Sequence, residues 1–422
     1  MNDTLGSSRS IIRRSATVLA FTIPGLLLNL LLIYLAAGQL DAEDFGVFYV
    51  SISIANILVA PSLMLSMFYS RHFVAVAVSD GWAGAVAAFQ LCTRRILRWG
   101  LCLCLVMLIV LIGFGFLTGV TSFTVIVLIV LISYGAYFGD SMRAVLQSLQ
   151  SFTALGAFGF VWMALRFIFG GGAILTFGTV TAGLFGLFLA GLVVFIVGYW
   201  LLTRDPRSLA RIKFVEDPSL KTVPAFFLSY GFFIIIVYLD VLLAYLTLDH
   251  IALSAYSASA VLPKGIVVAT VPVVQVFFTT FLFSKGEVVS LKSAILFKSF
   301  ALTTLLSGGA IALLILLPEP FCGGRYGISF CQTDAMAMIA LSTLPLCVLR
   351  VLVLTQLARG QEWHPLLLAL PTAAFIIYSM TQTSDVAKLS VEFAMFSYGL
   401  LLFYILLAMP IAVVRRFATG SK

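Results

Sequence analysis

Long apolar stretches, separated by short polar turns, fill almost the whole chain. Twelve can be marked: 16–37, 45–69, 97–117, 122–139, 154–176, 179–202, 223–247, 255–283, 294–317, 335–357, 366–380 and 391–414. A helix rises 1.5 Å per residue, so about 20 apolar residues cross the roughly 30 Å of a bilayer's hydrocarbon. The stretch 366–380 is short and must borrow flanking residues. The gaps at 118–121 and 177–178 leave room only for tight turns, and no interruption is long enough to fold as a separate soluble domain. The pattern predicts an all-α polytopic membrane protein with twelve transmembrane helices. Residues 203–222, the longest polar interruption, divide it into an N-terminal six-helix lobe (1–202), a linker (203–222) and a C-terminal six-helix lobe (223–422). The first apolar run follows Arg13-Arg14 as a secretory signal would. Its spanning length, without a convincing small-residue cleavage site after it, predicts a retained helix instead.

Composition agrees with the pattern. The chain is 62% hydrophobic and 10% charged, against about 45–50% and about 25% in soluble domains. Its net charge of +8 would suggest nucleic acid in a soluble protein. Here the distribution of the charge points to lipid headgroups, with no nucleic-acid partner. With the N-terminus inside, all but five of the 25 Lys and Arg fall in inner segments. Only Arg325 and Lys388 lie in outer loops, while Arg166, Lys264 and Arg350 lie inside helices. The positive-inside rule therefore predicts both termini on the cytoplasmic side. The inner segment 70–96 contains a stretch, 83–97, that reads as an amphipathic helix lying on the membrane surface. The six cysteines have no metal-ligand spacing. Cys322 and Cys331 share the outer loop 318–335, where a disulfide and two free thiols are both open readings.

The halves show an internal echo. QLDAEDFGVFYVSIS (39–53) and TLDHIALSAYSASA (247–260) each join the first and second helix of their half. With one residue deleted, Leu40-Asp41 meets Leu248-Asp249 and Tyr49 meets Tyr256. Six helices per half makes the copies parallel, which predicts a cavity between the lobes near the midplane.

The first helix and its turn, GQLDAEDFGVFYVSISIANIL, resemble the polysaccharide flippases of the O-antigen and exopolysaccharide type. These belong to the multidrug/oligosaccharidyl-lipid/polysaccharide (MOP) exporter superfamily. Gly38, Leu40, Phe45, Gly46 and Phe48-Tyr49 carry the likeness in the first half, and Asp240, Leu248-Asp249 and Tyr256 in the second. Gly324, Tyr326 and Gly327 resemble an aromatic-Gly element at the entry to the tenth helix. Where a Gly is usual in the second half, the chain has His250-Ile251-Ala252-Leu253. The resemblance implies a MATE-like fold of two lobes that open alternately to either side. It also implies a bacterial inner-membrane location and a lipid-pyrophosphate-linked oligosaccharide as cargo. A polysaccharide polymerase and chain-length machinery would act as downstream partners.

Charges at membrane depth cost several kcal/mol unless they face protein or water. Arg166, about midway through the fifth helix, is a candidate cavity residue whose guanidinium suits phosphate or uronate; the alternative is a snorkelling arginine. Lys264 lies about ten residues into the eighth run, with Gln275 near its face and Pro263 and Pro272 beside it as predicted bends. Asp240 is a candidate proton or sodium site, a sugar hydroxyl acceptor, or a structural partner of Lys264 or Arg166. Arg350 either lines the cavity or snorkels to the headgroups. Pro24 predicts a bend in the first helix, with Asn29 a polar residue near the midplane. Ser51, Ser62, Ser66 and Tyr69 form a weak stripe on the second helix. Gly170-Gly171-Gly172 reads as helix packing. No cofactor, metal site or catalytic residue set is expected, so the chain is read as a transporter and not an enzyme. A cation-coupled multidrug exporter of the same fold is the main alternative. A membrane-embedded polysaccharide polymerase or glycosyltransferase is another, but it would need a large outer loop or a catalytic head that the chain lacks.

Overall fold

The architecture was obtained as a computed structural model. It describes residues 8–118, 122–149, 151–204, 223–271, 273–274, 276–278, 289–322, 330–359, 361, 363–383 and 385–419. Pro272, Gln275, most of the linker 203–222, and Gly324, Tyr326 and Gly327 lie outside them, as do the side chains of Ser66, Arg71 and His72. The helices are α1 (Ser8–Gln39), α2 (Ala42–Thr118), α3 (Phe123–Ser148), α4 (Phe152–Leu165), α5 (Gly172–Phe177), α6 (Val180–Thr203), α7 (Val223–Thr247), α8 (His250–Ala269), α9 (Val289–Leu316), α10 (Thr333–Ala358), α11 (Ala369–Gln382) and α12 (Val386–Thr419). A π-helical turn, Arg166–Gly171, joins α4 to α5, and a 3-10 turn, His364–Leu368, precedes α11. Among the described residues, 12 segments are long and apolar enough to cross a membrane, as the hydropathy pattern predicts.

Several boundaries depart from expectation. Helix α2 runs through to Thr118, interrupted only at Gly81 (φ 68°, ψ −153°). The stretch 83–97 is not a surface helix. It is the start of the third span, Gly84–Gly113, and Ala85, Val86, Ala88 and Phe89 are almost wholly buried. Burying that much apolar surface against other helices outweighs an interfacial position. Helix α3 continues two turns past the expected end at 139, carrying Asp140, Gln147 and Ser148 into the interior. Helices α1 and α8 run continuously through Pro24 and Pro263. Each proline leaves the carbonyl four residues back, at Ala20 and Ser259, without its helical donor.

In the N-terminal half α2 packs on α3, α1 on α4, and α3 on α6; in the C-terminal half α10 packs on α12, α9 and α8. The halves meet where α2 lies against α7 and α8, and α1 against α8. Without a hydrophobic drive inside lipid, close approach and interhelical hydrogen bonds hold such helices together. Both are present. Ser133 donates to Ala55 O (3.3 Å), Tyr137 to Leu58 O (3.4 Å), Ser62 to Asp140 (2.5 Å) and Ser70 to Gln147 (3.1 Å), a polar seam between residues 55–70 of α2 and 133–147 of α3. Gly186 of α6 faces the backbone of the π-helical turn: an added Cβ would meet Phe169 O at 2.3 Å. Gly170 sits against Leu187 and Leu32, and Gly171 against Leu32 and Leu35, so these two pack helices as read, whereas a Cβ at Gly172 would meet nothing within 4 Å.

The repeated aspartates do the same local job. Asp41 accepts from Asp44 N (2.9 Å) at the start of α2, and Asp249 accepts from Ala252 N (2.8 Å) at the start of α8. Each satisfies one of the free amides at a helix N-terminus. Near these turns the halves touch. Tyr34 donates to Phe321 O (3.2 Å), Ser254 donates to Ala42 O, and Phe45 lies 6.2 Å from Phe330. Glu43 and His250 stand 3.8 Å apart. Gly46 has no room for a Cβ beside Ser254 Oγ (2.9 Å). Cys322 and Cys331 are joined as a disulfide, Cα–Cα 5.1 Å, next to both Phe321 and Phe330.

A buried ion pair ties α7 to α8. Lys264 Nζ donates to Asp240 Oδ1 (2.7 Å) and to Val237 O (2.6 Å), and Tyr256 donates to Asp240 Oδ2 (2.9 Å). Lys264 also lies over the Phe393 ring at 4.8 Å, which brings in α12. Two stability predictions follow from this packing. Asp240→Ala leaves an ammonium without its counter-ion and should cost about 3–5 kcal/mol, whereas Asp240→Ala with Lys264→Met should cost much less. Thermal unfolding in detergent checks this, and equal losses would refute it. Gly186→Leu should lower the melting temperature by more than Gly191→Leu, a site where an added Cβ meets no atom within 4 Å; the same measurement decides.

Candidate functional site

The N-terminal half builds its polar centre from four elements. Asp140 on α3 is 1% exposed. One of its oxygens accepts from Ser62 on α2 and the other from Arg143 Nη1 (3.0 Å), three residues on along the same helix. The guanidinium of Arg143 lies over the Trp162 ring at 4.9 Å. The amide of Arg166 donates to the Trp162 carbonyl, so Trp162 and Arg166 share one face of α4, a turn apart. Arg166 is half-buried and opens the π-helical turn; such turns often occur at functional sites. Its electrostatic neighbours are Arg143 and, across the seam, Tyr238 of α7.

Asn29 joins this centre by register. Gly156 lies against Phe21, Gly25 against Met163, and Gly170 against Leu32, so α1 and α4 run side by side in the same direction. Gly25, Asn29 and Leu32 follow the i, i+4, i+7 spacing of one helix face. That register sets Asn29 level with Arg166 and Phe167. Its Oδ1 is buried without a hydrogen-bond partner.

The C-terminal half presents a different arrangement. Asp240 and Lys264 are 0% and 4% exposed. In this conformation they line no open cavity: they satisfy each other, with Tyr256, inside the lobe. Arg350 neither snorkels nor faces an open cavity. It is 3% exposed and donates through Nη1 to Val267 O (2.7 Å) and Thr270 Oγ1 (3.5 Å), near the C-terminal end of α8. Carbonyls there are short of helical donors and favour a cation. The guanidinium stands 5.5 Å from the Phe233 ring, and Nε is buried without a partner.

Tyr238 connects the halves. This half-buried residue of α7 interacts electrostatically with Arg166 of one half and with Arg350 and Asp240 of the other. Tyr230, two turns earlier, likewise lies near both Arg350 and Asp140. The repeated tyrosines, Tyr49 and Tyr256, come within electrostatic reach of each other at the same seam. The charge balance is asymmetric. Arg143 is matched by Asp140, and Lys264 by Asp240. Among the described residues, neither Arg166 nor Arg350 has a carboxylate within ion-pair distance. One guanidinium without a counter-ion from each half therefore lies within electrostatic reach of Tyr238. No group of three His, Cys, Asp or Glu able to hold a metal occurs among the described residues.

Asp140, Arg143, Trp162 and Tyr238 escaped the sequence reading. Asp140 and Arg143 fall just past the apolar run that ends at 139, where the count of basic residues assigns Arg143 to an inner segment. Their i, i+3 spacing, an acid followed by a base on one helix face, was the available signal.

No protein-family model matches the chain, and no curated protein matches it. Solved structures do match in three dimensions. A MATE transporter crystallised with MaL6 aligns with TM-score 0.69 at 14% identity, over 96% of each chain. An outward-facing multidrug resistance MATE family transporter of the MOP superfamily aligns with TM-score 0.65 at 13% identity, again over 96% of each chain. A MOP superfamily transporter from Pyrococcus furiosus, described as having a binding pocket of reverse polarity that suggests a different function, aligns with TM-score 0.63 at 14% identity over 96% of each chain. The helices of this chain are thus arranged in the fold of the MATE transporters.

Proposed function

We propose that the chain is a flippase that carries a lipid-pyrophosphate-linked oligosaccharide across the bacterial inner membrane by alternating access, for surface polysaccharide synthesis. The observation that carries this reading is the pair of guanidiniums without counter-ions, Arg166 and Arg350, one from each half and both within electrostatic reach of Tyr238. A guanidinium at depth without a counter-ion is costly even where, as at Arg350, neutral oxygens accept from it, and a bound anion would recover part of that cost. Arginine's planar fork suits phosphate oxygens, and a neighbouring tyrosine offers a hydroxyl and a ring face to a sugar. In this reading the lipid tail stays in the bilayer and the head passes between the lobes. The positive-inside distribution supports placing both termini in the cytoplasm, which puts the touching turns and the disulfide on the outer side. The lobes are residues 1–202 and 223–422, joined by the linker 203–222. A polymerase and chain-length machinery would receive the product, and coupling to H⁺ or Na⁺ would draw on the buried acids.

A cation-coupled multidrug exporter remains the competing reading, because a solved structure of this fold is described as a multidrug resistance transporter. Uncompensated positive charge at the seam disfavours cationic drugs and favours anions. Arg166 is the cleaner probe than Lys264, whose removal would also strand Asp240. Losing one charge-assisted contact, about 1.5–3 kcal/mol, should lower flux by about tenfold or more. Arg166→Ala should therefore reduce surface polysaccharide by about tenfold in cells that depend on this chain for the step, at unchanged protein level, with Arg166→Lys intermediate. Unchanged polysaccharide, together with a loss of cationic-dye efflux, would favour the exporter.

A further inference from the structure

We propose that Arg143 is a second anion-binding guanidinium of the N-terminal lobe, next to Arg166, and that Asp140 and Trp162 are the residues that position it. The inference rests on the anionic-lipid reading above and gives that site a diphosphate preference.

Arg143 is the charged group of the pair with access to a ligand. Its side chain is 22% exposed, against 2% for the Asp140 side chain. Asp140 is held from behind by Ser62, so its remaining oxygen fixes one edge of the guanidinium. Trp162 supports the guanidinium face at 4.9 Å. That contact requires Gly139: an added Cβ there would meet the Trp162 ring at 1.7 Å. Glycine next to Asp140 thus lets the indole lie against α3 where the arginine emerges. One turn along the same face of α4 stands Arg166. Two guanidiniums are therefore set around one indole, one neutralised by a carboxylate and one not.

This asymmetry has a chemical consequence. Two uncompensated guanidiniums would repel each other at this depth. Asp140 removes most of that repulsion in the empty lobe while leaving Arg143 donors unspent, since a guanidinium carries five N–H groups and Asp140 takes one here. A single phosphate can satisfy Arg166 alone. A diphosphate carries more charge and spans two donor sets, so it gains from Arg143 as well. The same tripartite hold explains why an arginine three residues from a buried aspartate lies against Trp162 of α4 and not outward as an inner-loop residue.

The test uses the full-length chain in nanodiscs, with farnesyl diphosphate, farnesyl monophosphate and farnesol as probes in calorimetric titration. The wild type should bind diphosphate more tightly than monophosphate, and farnesol weakest. Arg143→Gln should weaken diphosphate binding by about tenfold and monophosphate binding far less, so that the preference between them collapses. Arg143→Lys should keep monophosphate affinity but lose much of the diphosphate preference, because an ammonium lacks the fork. Asp140→Asn should tighten monophosphate binding by freeing the full charge of Arg143. A purely structural role would leave the ratio between the two ligands unmoved in Arg143→Lys, whatever happened to stability, and that result overturns the inference. If diphosphate binding needs Arg166 but is unchanged in Arg143→Gln, Arg143 alone is excluded and the transport reading stands. If the wild type binds farnesyl diphosphate no better than farnesol, both fail.

Discussion

Hydrocarbon offers a charge no partner, so every ionisable group at depth must be answered from within the protein. This chain answers some of its deep charges and leaves others. Lys264 and Asp240 close on each other and recruit Tyr256, Val237 O and Phe393, which fixes α7, α8 and α12 around one point. Asp140 is matched by Arg143 and steadied by Ser62, which fixes α2 against α3. These contacts make each lobe a rigid body. Arg166 and Arg350 are left without a carboxylate partner among the described residues, and both act electrostatically on Tyr238. The matched charges account for the scaffold; the unmatched ones mark where a ligand of opposite sign would be stabilised.

The same constraint separates what could be read from the chain and what could not. Span number follows from hydropathy because backbone groups in lipid must be satisfied within a helix. The aspartate echo at Asp41 and Asp249 was legible because capping is local: a carboxylate bonds an amide three residues on, whichever lobe it belongs to. Arg166, Lys264, Asp240 and Arg350 stood out because they interrupt apolar runs. Their partners were legible only as alternatives, because pairing is tertiary. The sequence offers Lys264 or Arg166 as partners of Asp240 and the structure selects Lys264, 24 residues away, while nothing in the spacing says that Arg350 reaches back to Val267, 83 residues away. Asp140 and Arg143 were lost for a simpler reason: polar residues at the end of an apolar run look like loop. A longer helix with a polar, buried last third has the same composition as a shorter helix followed by a turn. The surface-helix reading of 83–97 failed on the same ambiguity, since periodicity alone does not tell whether an apolar face meets lipid headgroups or another helix.

Positive charge at the seam also bears on how the fold is used. The MATE fold supplies two lobes and a seam between them, but it does not fix what passes. The sign of the groups without counter-ions is a property of this sequence, and it is the feature on which the proposed cargo rests. A cation would meet Arg166 and Arg350 as repulsion, and the two buried acids that might offset this are already occupied by Arg143 and Lys264. A ligand with an anionic head and a long apolar tail needs only the head to enter. That requirement suits a chain whose deep charges without counter-ions are both guanidiniums, in a bundle whose outer faces are apolar.

On the proposed reading, alternating access would require the two lobes to part without coming apart internally, and the bonding is graded in a way that would permit it. Within lobes, the α2–α3 seam and the Asp240–Lys264 pair involve buried polar groups whose separation would strand charges at a cost of several kcal/mol. Between lobes, near the α1–α2 and α7–α8 turns, the contacts are of another kind. They are one tyrosine hydroxyl on a carbonyl, one serine hydroxyl on a carbonyl, an exposed Glu43–His250 contact and an aromatic pair. Each is worth about 0.5–1.5 kcal/mol at most, because water or lipid headgroups can replace it once the surface opens. A few such contacts together give a closure that a ligand's differential affinity of a few kcal/mol could reverse. Gly46, with no side chain against Ser254, lets the turns close tightly without interlocking. The disulfide lies on the C-terminal side of this contact and joins only residues of that lobe. It can therefore hold Phe321 and Phe330 in place while the lobes separate, so that the closure re-forms from a preset surface on each return.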